Sequence, residues 1–167
     1  MRLKHLLFLI LVLPTVFINN LYCQNRYFVA FCASNQNLGH AFISLGYESP
    51  ERMMTVHDGT WGMYPKTKIE GVISVFFGSV PGEIRNDFLT NRNQSFHLVV
   101  SENEYKKSLE VLNKWKNKDY QLLKSDCLSF IIEVATIFEH QIEIPIRDNF
   151  LNLPSYYLSE LIRINSN

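Results

Sequence analysis

The chain has 167 residues, is 47% hydrophobic, and balances 16 basic against 16 acidic side chains with three cysteines. That length suits one domain of ordinary size, and the charge balance excludes an electrostatic nucleic-acid binder. No metal motif, phosphate loop or nucleotide fingerprint is present, so no cofactor and no metal are expected.

The N-terminus stands apart from the rest. Arg2 and Lys4 make a short basic start, Leu6 to Phe17 is a nearly unbroken apolar run, and Asn19-Asn20-Leu21-Tyr22-Cys23 precedes Gln24. This is the layout of a secretory signal peptide, and the run is short for a membrane span. Residues 1–23 are therefore read as the signal and 24–167 as a single domain, secreted or periplasmic, with no membrane span once the signal is removed. A lipoprotein acylated on Cys23 is disfavoured, because bulky Tyr22 sits where such sites want a small residue. Losing Arg2 and Lys4 leaves 14 basic against 16 acidic residues, a formal charge of −2. Export permits a disulfide between the two remaining cysteines, Cys32 and Cys127, but a domain of this size does not need one. Cys32 lies in an apolar run and reads as a small buried residue.

Tyr27 to Ala33 predicts a buried strand, and the glycine-bounded Gly39-His40-Ala41-Phe42-Ile43-Ser44-Leu45-Gly46 a second. Tyr47 to Glu51 reads as a turn, with Arg52 to Asp58 returning as a third strand. Gly59-Thr60-Trp61-Gly62-Met63-Tyr64-Pro65 reads as a loop, and Gly71–Gly78 and Ser95–Ser101 as further strands. The period then changes. Glu102 to Asn117 is apolar at Tyr105, Leu109, Leu112 and Trp115, a helix capped by Ser101. A second helix is expected from about Asp126 to Glu139, and a short one from Ser155 to Ile164 after Pro154. Strands first and helices after predict an α+β domain with an antiparallel sheet packed on the helix that carries Cys127.

Cys127, in Lys124-Ser125-Asp126-Cys127-Leu128-Ser129-Phe130, is the residue most able to carry chemistry. A helix N-terminus directs N–H groups and partial positive charge outward, and both favour a thiolate. The plainer alternative is a small hydrophobe at the start of a core helix. A nucleophilic thiol needs a base and an orienting group behind it. His97 lies in a strand and His140 beyond the cysteine helix, where helix-end capping is the simpler role. His40 is flanked by small residues that permit close approach. A turn near Glu48 and Ser49 would place His57 opposite His40 on one face, with Asp58 as the reserve if the register slips by one.

These residues resemble the circularly permuted branch of the NlpC-like papain-fold superfamily, which includes relatives of lecithin–retinol acyltransferase and bacterial permuted amidases. The likeness rests on Gly39 to Gly46 early and Asp126-Cys127-Leu128-Ser129-Phe130 late. Gly62-Met63-Tyr64-Pro65 and Pro154-x-x-Tyr157-Leu158 add to it. The resemblance implies a permuted papain-like fold with Cys127 as nucleophile, His40 as base, and His57 or Asp58 as the third polar residue. Asp126 stands where that family commonly has Asn, and an anion there opposes the thiolate unless capping engages it. The function so implied is a cysteine amidase or peptidase forming a thioacyl-enzyme on a peptide or acyl substrate, cell-wall peptidoglycan first and lipid esters second. A catalytically silent binding domain using Trp61 and Tyr64 is the rival. The oligomeric state is left open.

Overall fold

The computed structural model describes residues 24–35, 39–67, 70, 78–148 and 153–166. The expected signal peptide, and residues 71–77 of the strand expected over Gly71–Gly78, lie outside them. Five strands come first: β1 Arg26–Ser34, β2 His40–Ser49, β3 Met54–Pro65, β4 Gly82–Asn86 and β5 Gln94–Val100. They form one antiparallel sheet in the order β4-β3-β2-β1-β5. The helices α1 Glu102–Trp115, α2 Cys127–Ala135 and α3 Pro154–Asn165 follow, with a 3-10 turn, Thr136–Phe138, closing α2. The chain is thus α+β, its antiparallel sheet packed against helices.

β1 is the middle of this arrangement. It pairs with β2 on one side and β5 on the other, and Val29 to Ser34 are at most 1% exposed. Alternation divides its side chains between two faces. Val29, Phe31 and Ala33 join Ala41, Ile43 and Leu45 in the main core with Leu112, Trp115, Leu128, Ile131 and Leu158. Ala30 and Cys32 meet Phe42 in a small second cluster. The helices hold the main core against the sheet: α2 lies on β2 and β3, α3 on β1 and β5, α1 on β1 and β4.

Two contacts set the position of α2. Phe130 is fully buried beside Trp115, ring centroids 5.5 Å apart. Three residues on, Glu133 accepts from Trp115 Nε1 at 2.9 Å and Lys114 Nζ at 2.6 Å, while the Lys118 ammonium sits 3.7 Å above the Trp115 ring. Truncating a side chain buried like Phe130 costs about 3–5 kcal/mol. α1 itself begins with a capping box, Ser101 accepting from the Glu104 N–H while Glu104 accepts from the Ser101 N–H.

The β2–β3 hairpin corrects the expected register. β2 continues through Tyr47 and Glu48 to Ser49, and the turn is Pro50–Met53, closed by Met53 N–H to Pro50 C=O. Pro50 has no N–H to extend the ladder, and Met53 takes a left-handed φ of 48°. Ser49 therefore faces Met54, and after a bulge at Asp58 the ladder runs Leu45 to Gly59 and Phe42 to Gly62. The segment 59–65, expected as a loop, is the second half of β3. His57 lies opposite Gly46, six residues along β2 from His40, or about 20 Å. β4 was not expected at all: five residues, Gly-Glu-Ile-Arg-Asn, carry too little alternation to announce a strand.

His40 is the first residue of β2, and Gly39 before it has a φ of +84°. A Cβ on Gly39 would press on Pro154 Cδ at 3.3 Å, so the turn into β2 sits against the start of α3. Gly39→Ala is expected to lower unfolding free energy by about 1–2 kcal/mol in urea titrations, and Gly39→Asn by less, because Asn tolerates left-handed backbone better. An Ala variant as stable as wild type would show that this turn does not depend on the glycine.

Candidate active site

β2 presents His40 at its start, and β3, running two residues past its last pair with β2, Phe42–Gly62, brings Tyr64 beside it. The His40 and Tyr64 rings stack with centroids 4.1 Å apart, and Phe42 also stacks with His40 at 5.9 Å. The chain leaves β4 at Asn86, and the next residue, Asp87, turns inward until it is 4% exposed. His40 Nε2 lies 3.2 Å from Asp87 Oδ2. The other oxygen, Oδ1, accepts from the Tyr64 hydroxyl and from Thr90 Oγ1, the latter at 3.1 Å. Asp87 N–H donates to Thr60 C=O at 2.7 Å, which ties the loop to β3.

Gly62 makes room for this pair. A Cβ built there would collide with Asp87 Oδ2 and His40 Nε2, so a side chain larger than hydrogen is incompatible with their contact.

Cys127 is the first residue of α2, capped by Asp126, and is partly exposed. Its thiol lies beside the His40 side chain, close enough to favour the charged form of the ring. The described structure thus brings together Cys127, His40 and Asp87. Burial opposes charge on the His40 ring, but its hydrogen bond to Asp87 and the attraction of both Asp87 and Cys127 outweigh that cost, pushing the imidazole up to about 9. Burial first, then the Asp87 carboxylate, keep the Tyr64 phenol protonated well above its ordinary range, so it remains a donor to Asp87. Tyr120, midway along the α1–α2 loop, is pushed up by burial and then by Cys127 and Asp126 nearby.

The other expected residues fall elsewhere. His57 packs its ring edge against Phe28 at 5.5 Å. Asp58, the bulged residue, accepts from the buried Tyr105 hydroxyl of α1. Neither is the group behind His40; the register that would have placed them there is displaced by the longer β2. His97 is exposed and bonds Ser95 Oγ at 3.1 Å, while His140 pairs with Glu104 at 2.9 Å. Cys32 is buried and free, its thiol pushed up to about 11 by desolvation against a smaller opposing pull from Arg92.

Asp87 was missed because Arg85-Asn86-Asp87 reads as an ordinary turn, and nothing local marks its carboxylate for burial. Tyr64 stands in sequence within the Gly62-Met63-Tyr64-Pro65 element and the aromatic loop of a binding surface, and neither marks it as a donor to a buried carboxylate. Among the described residues, no group of three or more His, Cys, Asp or Glu side chains is arranged to hold a metal ion, and no helix is long and apolar enough to cross a membrane. Two surface depressions among the described residues, of about 630 and 410 Å³, border the start of β1 and the β2–β3 turn and share no lining residue with this cluster. No protein-family model, curated protein or solved structure matches the chain.

A His40 proton held more tightly in the folded state than in the unfolded chain stabilises the fold. The contribution is full below the unfolded imidazole value of 6.5 and disappears as pH rises through about 9. The unfolding free-energy gap between wild type and His40→Gln should therefore shrink between about pH 6 and pH 9.5, by on the order of 3 kcal/mol. Gly62→Ala should fold and lose the same pH-dependent increment. A gap constant across that range would mean that Asp87 and Cys127 do not hold the proton.

Proposed function

We propose that this domain is a cysteine hydrolase acting on amide bonds through a thioacyl-enzyme, with Cys127 as nucleophile, His40 as base and Asp87 as its orienting group. The single observation that carries this reading is the buried His40–Asp87 pair beside Cys127, the partly exposed first residue of α2. Asp87 takes His40 Nε2, which leaves Nδ1 to exchange a proton with the cysteine sulfur. A nucleophile, a base and an orienter in series are the minimum for acyl transfer.

In the proposed cycle the Cys127 thiolate, paired with the His40 imidazolium, adds to the substrate carbonyl carbon. The oxyanion that develops is met by N–H groups of the first turn of α2, including that of Cys127. Collapse breaks the C–N bond, and the leaving amine takes its proton from His40. Neutral His40 then removes a proton from water, whose oxygen attacks the thioester. The acid departs and the sulfur again faces an imidazolium. Asp87 fixes the ring as an ionised partner, helped by the Tyr64 hydroxyl and by the stacking of Phe42 and of Tyr64 on His40.

The domain would then be a permuted papain-like enzyme, with the histidine strand before the cysteine helix and Asp87 in the role that resemblance gave to His57 or Asp58. With residues 1–23 as a signal peptide, the substrates within reach are cell-wall peptide amides. A second reading, an acyl-ester hydrolase or acyltransferase, draws on the apolar residues beside the site in the chain: Phe88 and Leu89 follow Asp87, Leu122 and Leu123 precede Asp126, and all four are exposed.

The test is alkylation by iodoacetamide near neutral pH, read at each cysteine by mass spectrometry, followed by turnover. Cys127 should label faster than Cys32, and His40→Ala or Asp87→Ala should slow it. Cys127→Ser should abolish hydrolysis of peptidoglycan-derived peptides, and His40→Ala should lower it by about 10²–10⁴-fold. Equal labelling of the two thiols, unaffected by either substitution, would leave a binding domain. Turnover of short acyl esters but not of peptides would favour the second reading.

A further inference from the structure

Asp126 places a carboxylate one residue before the proposed nucleophile, a position that works against a thiolate. It is 2% exposed and accepts from five donors. Leu123 N–H reaches Oδ2 at 2.8 Å; Ser129 N–H and Ser129 Oγ reach Oδ1 at 2.9 and 2.8 Å. The remaining two come from Arg147, whose guanidinium grips both oxygens, NH1 to Oδ1 at 2.9 Å and NH2 to Oδ2 at 2.7 Å. The same NH1 donates to Ser129 Oγ at 2.7 Å. Arg147 is itself only 15% exposed, and it lies in the connection between the 3-10 turn and α3, so the chain that leaves the far end of α2 folds back to the helix start.

We propose that Arg147 is a positioning residue of the thiol site: by holding Asp126 bidentately it cancels the cap's charge, so that Cys127 meets the helix dipole and the His40 imidazolium rather than a bare anion. This rests on the thiol reading above. Among the described residues, the titratable groups that interact with Cys127 through their charge are His40 from β2, Tyr64 from β3 and Tyr120 from the α1–α2 loop, and Asp126 precedes it as the cap of its own helix. Asp87 from the β4–β5 loop stands behind His40, and Arg85 from β4 lies 5.1 Å from the Tyr64 ring. The phenols are neutral, His40 and Asp87 offset each other, and Asp126 is left to be answered by Arg147. Remove the guanidinium and a thiolate at Cys127 shares a half-buried site with an uncompensated carboxylate. A planar fork suits this duty, since it satisfies both oxygens and fixes the carboxylate's plane while Ser129 is capped. Its net effect on Asp126 agrees: burial opposes the charge, but Arg147 and the N–H donors hold the carboxyl below its ordinary range.

The experiment compares the pH–rate profile of Cys127 alkylation in wild type, Arg147→Met, Asp126→Asn and the double variant, with folding checked by thermal unfolding. Arg147→Met should move the midpoint upward and slow labelling near neutral pH about tenfold. Asp126→Asn, which still caps the helix, removes the negative charge next to the thiol while keeping the Arg147 guanidinium, and should move the midpoint downward. The double variant removes both charges and should return the profile close to wild type. A role confined to holding the loop predicts no such return, since the double variant would lack the tie as fully as the single one. A wild-type profile in Arg147→Met would overturn the proposal. If that variant does not fold, an unchanged midpoint in Asp126→Asn would do so instead. The thiol reading fails separately, if wild-type Cys127 labels no faster than the same thiol in the urea-unfolded chain.

Discussion

The register of the β2–β3 ladder is the constraint on which the candidate site depends. Because β2 runs on to Ser49 before Pro50 breaks it, the returning strand is set so that Gly62 faces Phe42 and Tyr64 arrives beside His40. One residue of slip would turn every β3 side chain to the other face, replacing the glycine that makes room for the His40–Asp87 contact with Trp61 or Met63. The bulge at Asp58 absorbs the extra residue and lets the first half of the hairpin keep its pairing. Asp58 in turn is held by Tyr105, so α1 supports the irregularity that the register requires.

The second support comes from the helices. Cys127 stands beside His40 because α2 is fixed along its length and at its start: Phe130 and Glu133 engage Trp115 of α1, and Asp126 is gripped by Arg147 from the connection to α3. Pro154, opening α3, rests near the Gly39 turn that begins the histidine strand. Parts of the chain far apart in sequence thus converge on one rim. The buried polar groups there are satisfied as a network: Asp87 by His40, Tyr64 and Thr90, and Asp126 by backbone, Ser129 and Arg147. Inside a low-dielectric wall such networks hold side chains in one geometry, and leaving any member unpaired is costly.

The electrostatics of the rim fit the proposed chemistry. Two carboxylates lie close to one thiol, and each has a dedicated cation, His40 for Asp87 and Arg147 for Asp126. An acid that orients the base and an acid that caps the helix can then coexist with a proposed thiolate. Tyr64 and Tyr120 remain neutral, adding polarity without charge, and Tyr64 donates to Asp87.

Sequence by itself determined what local physics controls. The period change from strands to helices, the Ser101 cap, the apolar run of β1, and a cysteine after a capping residue were all readable, because alternation, helical spacing and N-cap chemistry act over a few residues. His40 was legible for the same reason, standing between two small residues at a strand's start. The tertiary structure decided the rest. Hairpin register depends on where β2 stops, and the polar run Tyr47-Glu48-Ser49 resembles a turn although it is paired on both sides, with β1 through Tyr47 and Glu48 and with β3 throughout. That single difference moved His57 and Asp58 about 20 Å from His40. Asp87 and Arg147 carry no local mark: each is a charged residue in an irregular connection, the kind usually left in water. They become site residues only because loop closure buries them against partners 47 and 21 positions away, a pairing that no short window of sequence contains.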